Sequence, residues 1–324
     1  MITSFAKKTI VSIVIFTTSI SLAAQNKEYK LNNDKSVITI LTDQKKSNFT
    51  IDNILRKEQG LPMIEAHLYN LGVDMDTVGS WSQLSTKENT WKFAFDVPGA
   101  KAFFIRLDDF YLPEGSKLYV YNRDNLKDAV LYTSENNPHG GPYSIENLRG
   151  SNAILEYVAP KNSNEKPRLN FTKLGYKYAN VQNIMYDAAP KDDPFFSCMI
   201  NINCPQGADW QIQKKGVVYI RLDRINSGTT LCSGTLVNNT NGDKKPYILT
   251  ADHCFENVDT SNHNNIEVLF GYESPDCENR NPVAYKYLRG AEAKVLNPIN
   301  GGSDGALILL TNPKIGRASC RERV

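Results

Sequence analysis

The sequence predicts an all-β protein built from two parts of different character. Between Trp91 and Val158, short segments recur in which apolar and polar residues alternate and aromatic or β-branched side chains are frequent, a pattern typical of strands. Turns rich in Gly and Pro separate these segments. All six cysteines lie between Cys198 and Cys320. The chain therefore changes character near residue 190, from a cysteine-free β-sandwich to a cysteine-bearing β-module.

Composition narrows the class of protein. The 324 residues include 37 Lys plus Arg and 35 Asp plus Glu, for a net charge of +2. A surface so balanced does not favour nucleic acid as a partner. Hydrophobic residues make up 41% of the chain, which excludes global disorder. The length suits about two domains.

The first 24 residues have the features of a secretory signal peptide. Lys7 and Lys8 precede the apolar run Ile10 to Phe16, and the small residues Ser21 to Ala24 suit a signal peptidase. The alternative, a membrane anchor, is disfavoured because Thr17 to Ser19 end the apolar stretch well short of the ~20 residues that cross a bilayer. We expect a secreted, extracellular protein that passes through the periplasm in transit and has no membrane span.

The sandwich carries no catalytic constellation. Residues 25–90 give a mixed pattern, in which only Ile51 to Leu61 is consistent with a short helix. Residues 159–195 are predicted to lead away from the sandwich and to form the linker to the cysteine-bearing module. His139 lies in a Gly- and Pro-rich loop, which indicates a surface turn. Antiparallel strands are predicted at 91–97, 102–107, 118–121, 129–132 and 153–158.

The cysteine-bearing module contains the most informative segment. Strands are predicted at 217–222, 230–237 and 247–250, and the last runs directly into His253 and Cys254. Cys232 lies 22 residues before Cys254 on an adjacent hairpin, so a bond between them could clamp the histidine at the end of a strand. A general base needs such a fixed position within reach of its nucleophile.

Asp304 is the candidate partner of this histidine. It precedes the apolar strand 306–310, and from that position it could accept a hydrogen bond from His253 Nδ1 and hold the imidazole tautomer. The alternative is an ordinary turn residue before a strand. A zinc site is not predicted, because no cysteine pair has C-x2-C spacing and His253 and His263 lack a matching second pair. We expect no cofactor and no metal.

Three segments of the module resemble a known family. They are 197–207 with Cys198 and Cys204, 236–254 ending in Thr-Ala-Asp-His-Cys, and Ser303-Asp304 before the strand 307–310. Together they resemble trypsin-like serine endopeptidases, and more closely the secreted bacterial lysyl endopeptidase group, over residues 197 to about 312. The region upstream resembles the propeptide of that group. The resemblance implies that His253 is the base, that Asp304 orients it, and that the fold is the first β-barrel of a double-barrel protease.

The resemblance also implies a domain plan and a substrate class. We expect a monomer that acts on proteins or peptides and cleaves after Lys or another basic residue. We also expect the mature enzyme to be released from a propeptide by a cut near Lys191. The disulfides expected are Cys232–Cys254 and Cys204–Cys277, with Cys198 separated from its partner. The expected segments are the signal peptide 1–24, a propeptide with the sandwich 25–191, the N-terminal part of the protease domain 192–312, and a non-native tail 313–324.

The sequence offers no convincing nucleophile. Gly301 to Gly305 matches G-x-S-x-G around Ser303, but a nucleophile elbow needs a strand before the serine and a helix after it. Ser319 lies in the abruptly basic tail. A two-barrel protease needs about 200 to 250 residues, so we expect a truncated, inactive chain whose second barrel is missing. The alternative is a secreted, non-catalytic, β-rich binding or adhesion protein.

Overall fold

A computed structural model describes residues 28–42, 49–85, 88–159, 165–177, 200–225, 228–277 and 285–311. Most of these residues lie in β-strands, which confirms the all-β class. Several predictions concern residues outside this described part of the chain: the predicted signal peptide 1–24, the predicted cut near Lys191, Cys198, Cys320 and the predicted non-native tail 313–324. Within it, no helix combines the length and apolar character that crossing a membrane would require.

The first eleven strands and helix α1 form the N-terminal part. They are β1 (Tyr29–Leu31), β2 (Val37–Ile40), α1 (Phe49–Glu58), β3 (Ile64–Asp74), β4 (Ser80–Ser85), β5 (Glu88–Asp96), β6 (Ala102–Tyr111), β7 (Lys117–Asn122), β8 (Asn125–Tyr132), β9 (Tyr143–Arg149), β10 (Asn152–Val158) and β11 (Arg168–Lys177). One sheet has the order β1-β2-β5-β10-β7-β8, with β4 also on β5, and the other contains β3-β11-β6-β9.

Aromatic side chains from both sheets fill the space between them. Phe93 and Phe95 of β5 lie with their ring centroids 5.8 and 5.6 Å from that of Phe171 of β11. Trp91 is fully buried beside them and donates its indole N–H to the carbonyl of Val78 at 2.9 Å. Burial of these large apolar surfaces is the main force that holds the two sheets together as a sandwich.

One expectation for the sandwich was wrong. Residues 168–177, which we expected in the segment leading away from the sandwich, form β11, a central strand between β3 and β6. The predicted strands pair antiparallel with one another, and β2, from the region without a strand prediction, runs parallel to β5. The predicted strand positions from Trp91 to Val158 agree with β5, β6, β7, β8 and β10, and the short helix is α1.

The C-terminal β-module, residues 200–311, has its own hydrophobic core. Its strands are β12 (Val217–Arg224), β13 (Gly228–Val237), β14 (Tyr247–Ala251), β15 (Ile266–Phe270), β16 (Lys286–Arg289), β17 (Ala291–Asn297) and β18 (Gly305–Leu310). The core contains Ile220, Ile248, Val268 and Ile308, all fully buried. It is separate from the aromatic core of the sandwich.

The module sheet curls back on itself at Gly290. The ladders run β15-β12-β13-β14-β18, with β16 on β15 at one end and β17 on β18 at the other. Only Gly290, with φ of 112°, separates β16 from β17. Its N–H donates to Ile266 and its carbonyl accepts from Thr311. The strand pairings among the described residues leave the module sheet open rather than closed into a barrel, but the bend at Gly290 connects its two end strands, β16 and β17.

The sandwich and the module share one sheet and a layer of buried charges. β3 pairs with β13 through Ala66 opposite Thr229 and Ile64 opposite Thr230. Beside this pairing lie charged side chains from both parts, which we call the seam: Glu65, Arg106, Glu146, Lys173 and Lys177 from the sandwich, and Arg221, Asp223, Glu267 and Arg289 from the module.

Arg221 lies at the centre of the seam. Its guanidinium contacts Glu65 at 2.7 Å, Glu146 at 2.9 Å and Glu267 at 3.3 Å. Arg106 of the sandwich contacts Asp223 of the module at 3.0 Å and also contacts Glu267. Burial by itself raises the pKa of Glu65, but Arg221 and Lys177 outweigh burial and lower that pKa to about 2. Glu65 is therefore charged at neutral pH, and the neighbouring cations also lower the pKa values of Glu146 and Asp223.

Candidate active site

The loop that carries His253 is held to the module by a disulfide. β14 ends at Ala251, and a short 3-10 turn, Asp252–Phe255, follows directly. In this turn Cys254 is buried and bonds to Cys232 of β13, with Cα atoms 6.2 Å apart. Thr250 Oγ1 also donates to the Ser233 carbonyl at 2.7 Å. The histidine is thus fixed between two neighbouring strands.

A second disulfide fastens the start of the module. Cys204 bonds to Cys277, which follows β15, with Cα atoms 4.5 Å apart. Nearby, Asn203 Nδ2 donates to the Ser274 carbonyl at 2.6 Å. Both pairings are those expected from the sequence, and both lie wholly inside the module. The chain before β12 is therefore attached to the segment that follows β15.

The carboxylate of Asp304 forms hydrogen bonds with two nitrogen atoms of His253, one in the ring and one in the backbone. Its Oδ2 lies 2.7 Å from His253 Nδ1, and its Oδ1 accepts the backbone N–H of His253 at 2.9 Å. Because an ionised carboxylate can only accept, Nδ1 carries the proton of this hydrogen bond. The Asp304 carbonyl also accepts the N–H of Asp252 at 3.1 Å. The aspartate fixes both the position and the tautomer of the imidazole.

The backbone around Asp304 explains how it reaches the histidine loop. β18 pairs with β14, and Gly305 lies opposite Ala251, so the residues flanking these two positions are neighbours. Asp304 has a φ of 54°, in the left-handed region that Asp and Asn tolerate better than most residues. The turn from β17 into β18 thereby directs the carboxylate toward His253.

The pair is accessible to solvent and electrostatically coupled. The side chains of His253 and Asp304 are 32% and 22% exposed. The hydrogen bond from the His253 ring, followed by that from its backbone N–H, lowers the pKa of Asp304 below its ordinary value. With the proton on Nδ1, the other ring nitrogen, Nε2, has a free lone pair. Such an imidazole can act as a general base.

Glu256 was missed by sequence reasoning. It lies three residues after His253, and its backbone N–H donates to the His253 carbonyl. Its carboxylate contacts Arg224 of the module at 2.9 Å and Arg56 of helix α1 at 3.4 Å. No spacing in the sequence indicates a contact between residues 200 positions apart. The sandwich therefore contacts the loop that carries the candidate base.

Ser303 is not arranged as a nucleophile elbow. Asn297 Nδ2 donates to its Oγ at 2.9 Å, and the residues after it form strand β18 rather than a helix. Among the described residues, no serine hydroxyl lies within hydrogen-bond distance of the His253 ring. Ser319 lies outside the described residues.

One group of potential metal ligands coincides with the site. Ligand atoms of Cys232, His253 and Cys254 lie within 4.8 Å of one another. However, the two sulfurs are bonded to each other. Zinc binds the free thiolate, so this disulfide leaves the group with one nitrogen donor and no sulfur ligand.

A disulfide-bonded β-module whose histidine is oriented by an aspartate has two of the three parts of a serine-protease triad. Comparison with protein families points the same way. Residues 196–319 match the family described as lysyl endopeptidase, C-terminal domain. The match covers somewhat more than a third of the chain and includes both disulfides, His253 and Asp304. The protein is therefore related to lysyl endopeptidases.

Proposed function

We propose that this chain belongs to the precursor of a secreted serine endopeptidase in which His253 is the general base and Asp304 orients it. The observation that carries the proposal is the double contact of Asp304 with the ring and the backbone of His253. The family match over residues 196–319 supports a peptidase rather than another class of enzyme that contains a His–Asp pair.

The geometry suits acyl transfer to a serine hydroxyl. As the serine attacks a peptide carbonyl, His253 Nε2 takes its proton, and Asp304 stabilises the imidazolium that forms. The same proton then passes from Nε2 to the leaving amine as the peptide C–N bond breaks, which leaves the acyl group on the serine. His253 next takes a proton from the water that hydrolyses this ester and returns a proton to the serine, so that the free enzyme is restored. We assign the serine to no described residue, and the 324-residue chain by itself is expected to have no turnover.

The proposed substrates are proteins or peptides, cleaved after Lys or another basic residue. This specificity rests on the resemblance to lysyl endopeptidases alone. The disulfides and the absence of a membrane-spanning helix among the described residues are compatible with the secretion that the N-terminal segment predicts.

The principal test is substitution of the pair in the protein expressed from its complete gene. Asp304→Asn leaves the imidazole without its orienting charge, and such a change lowers turnover by about four orders of magnitude in the reference protease. His253→Ala should abolish hydrolysis of lysyl peptide substrates to a similar extent. Asn also tolerates a positive φ, so the substitution does not add backbone strain at this position.

Asp259→Asn is the matched control. Asp259 is another module carboxylate that accepts hydrogen bonds in a turn, from Ser261 at 3.1 and 2.6 Å. It should retain full activity. An Asp304→Asn enzyme with more than about a tenth of wild-type turnover would contradict the proposed role. Labelling of the 324-residue chain by a serine-directed fluorophosphonate would identify a nucleophile within it, and labelling at Ser303 would show that the elbow was rejected wrongly.

We also propose that residues 25 to about 191 form a propeptide. The sandwich has a core of its own, and the family match begins at residue 196. N-terminal sequencing of the active enzyme should find a start between about residues 185 and 198, as expected for a cut near Lys191 in an exposed linker. A fully active form that begins at residue 24 or 25 and retains the sandwich would contradict this assignment.

A further inference from the structure

The sandwich reaches the histidine loop through one continuous segment. We call residues 49–66 the cover segment: it comprises helix α1, the turn after it and the start of β3. Arg56 of α1 contacts Glu256 at 3.4 Å, and its Nε donates to the Pro62 carbonyl at 2.6 Å. One arginine therefore links the helix, the following turn and the loop that carries His253.

A buried asparagine fixes the start of β3. Asn53 is 4% exposed, its Oδ1 accepts the N–H of Ile64 at 2.8 Å, and its Nδ2 donates to the Ile64 carbonyl at 3.1 Å. The side-chain amide thus pairs with both backbone groups of one residue, as a neighbouring strand would. This holds Ile64 extended at the point where β3 meets β13.

β3 occupies a strand edge next to the disulfide that clamps the histidine. β12 pairs with β13 along one edge, from Gly228 to Thr235, and β14 pairs with the other edge only from Thr235 to Val237. β3 therefore lies on the same edge as β14, at Thr229 and Thr230. Without β3, this stretch of β13 would expose unpaired backbone groups to any other extended chain.

The closeness of this approach requires a glycine. A Cβ on Gly228 would lie 2.1 Å from the Ala66 carbonyl oxygen, well inside van der Waals contact. Thr229 and Thr230 are fully buried under the strand from the sandwich. The start of β13 is thus shaped to receive a backbone from outside the module.

We infer that the cover segment is an inhibitory contact that keeps this edge of β13 covered and the loop after His253 attached to the sandwich, even after the chain is cut between the sandwich and the module. That the contact is inhibitory rests on the proposed function. That it persists after cleavage rests on the contacts between the sandwich and the module alone. The seam explains the persistence, since Arg221 binds two sandwich carboxylates and Arg106 binds two module carboxylates. Cleavage of the linker breaks none of these contacts, so opening the edge is a separate step.

The test uses the whole chain with a site for a sequence-specific protease placed between residues 178 and 199. After cleavage at neutral pH, the two pieces should co-elute on size exclusion. Hydrogen–deuterium exchange should show the amides of Thr229 to Leu231 as protected as in the uncut chain.

Two variants weaken the cover segment by different routes. Asn53→Ala removes the amide that holds Ile64, and Arg56→Met removes the contact with Glu256 but keeps the apolar stem. In each cut variant the amides of Thr229 to Leu231 should exchange about tenfold faster or more, with those of β18 unchanged, as expected for local opening. If Asn53→Ala prevents folding, Arg56→Met alone decides the question.

The control is Asn152→Ala. Asn152 is also buried in the sandwich, where it accepts the Arg123 N–H at 3.0 Å and donates to Asp124 at 2.7 Å, away from the cover segment. It should leave exchange at Thr229 to Leu231 unchanged. Separation of the wild-type pieces on cutting, equal exchange in wild type and both variants, or the same acceleration in the control would overturn the inference. None of these results bears on the catalytic pair, which the Asp304→Asn kinetics test independently.

Discussion

The His253–Asp304 pair and the seam are made of the same kind of contact at opposite degrees of burial. His253 and Asp304 are 32% and 22% exposed, whereas the side chains of Arg221, Glu65 and Glu267 are at most 1% exposed. Charges that keep contact with water lose little solvation, so the exposed pair forms at a small desolvation cost. The charged groups of the seam have lost their hydration, so each is stabilised mainly by the opposite charges around it.

This difference separates two uses of charge in one molecule. A buried ion pair adds little net stability compared with an apolar pair of the same shape, but removing one partner is costly. The seam therefore specifies how sandwich and module fit together more than it stabilises either. The exposed pair specifies a tautomer, which is a chemical property and needs no burial.

The largest effect on stability should come from the centre of the seam. Arg221→Met would leave Glu65, Glu146 and Glu267 without their shared cation and should lower the free energy of unfolding by about 3–5 kcal/mol. Urea denaturation of the whole chain measures it. Arg168→Met is the control, because Arg168 pairs with Asp109 at the surface and should cost under about 1 kcal/mol. Equal losses in the two variants would remove the distinction between seam and surface.

Acid should weaken the seam next. The pKa of Glu65 is about 2 in the folded chain against 4.5 ordinarily, so its charged form stabilises the fold fully above pH 4.5 and this contribution is lost as pH falls toward 2. The pKa values of Glu146 and Asp223 are lowered as well, which gives the same sign. The difference in Tm between wild type and Glu65→Gln should shrink between about pH 5 and pH 3. A constant difference would mean that Glu65 does not titrate with the fold.

The smallest effect on stability should come from the His253–Asp304 pair. Asp304→Asn should change the free energy of unfolding by less than about 1 kcal/mol, because the pair is partly solvated and Asn keeps hydrogen-bonding capacity. Thermal unfolding of the variant measures this beside its kinetics. A loss as large as that of Arg221→Met would make Asp304 a structural residue whose effect on activity is indirect.

The sequence indicated the contact between His253 and Asp304 more directly than it indicated the seam, and the reason is physical. The histidine lies next to a cysteine at a strand end, and Asp304 directly precedes a strand, so both carry local signals. In β12, by contrast, Val218, Ile220 and Leu222 alternate with Arg221 and Asp223, which indicates one apolar and one solvated face. The structure covers the polar face with the sandwich, and only the tertiary fold places the partner charges there.

β11 was missed for a related reason. In this strand the apolar residues Leu169 and Phe171 alternate with Asn170 and Thr172, but a register shift near Phe171 and Lys173 interrupts the pattern. The polar residues 160–164 and the Pro-rich stretch 189–194 on either side of it indicated a linker. Only the tertiary fold shows that Lys173 and Lys177 of this strand pair with seam carboxylates.

The two disulfides are nested, and this has a consequence for the order of oxidative folding. The 22-residue separation of Cys232 and Cys254 lies inside the 73-residue separation of Cys204 and Cys277. Closing the longer loop costs about 1 kcal/mol more chain entropy, so the inner bridge is favoured to form first. If the chain is exported from its N-terminus, Cys232 and Cys254 also both reach the oxidising compartment before Cys277 does. The histidine loop would then be tied down early, and the outer bridge would close around a hairpin that is already covalently complete.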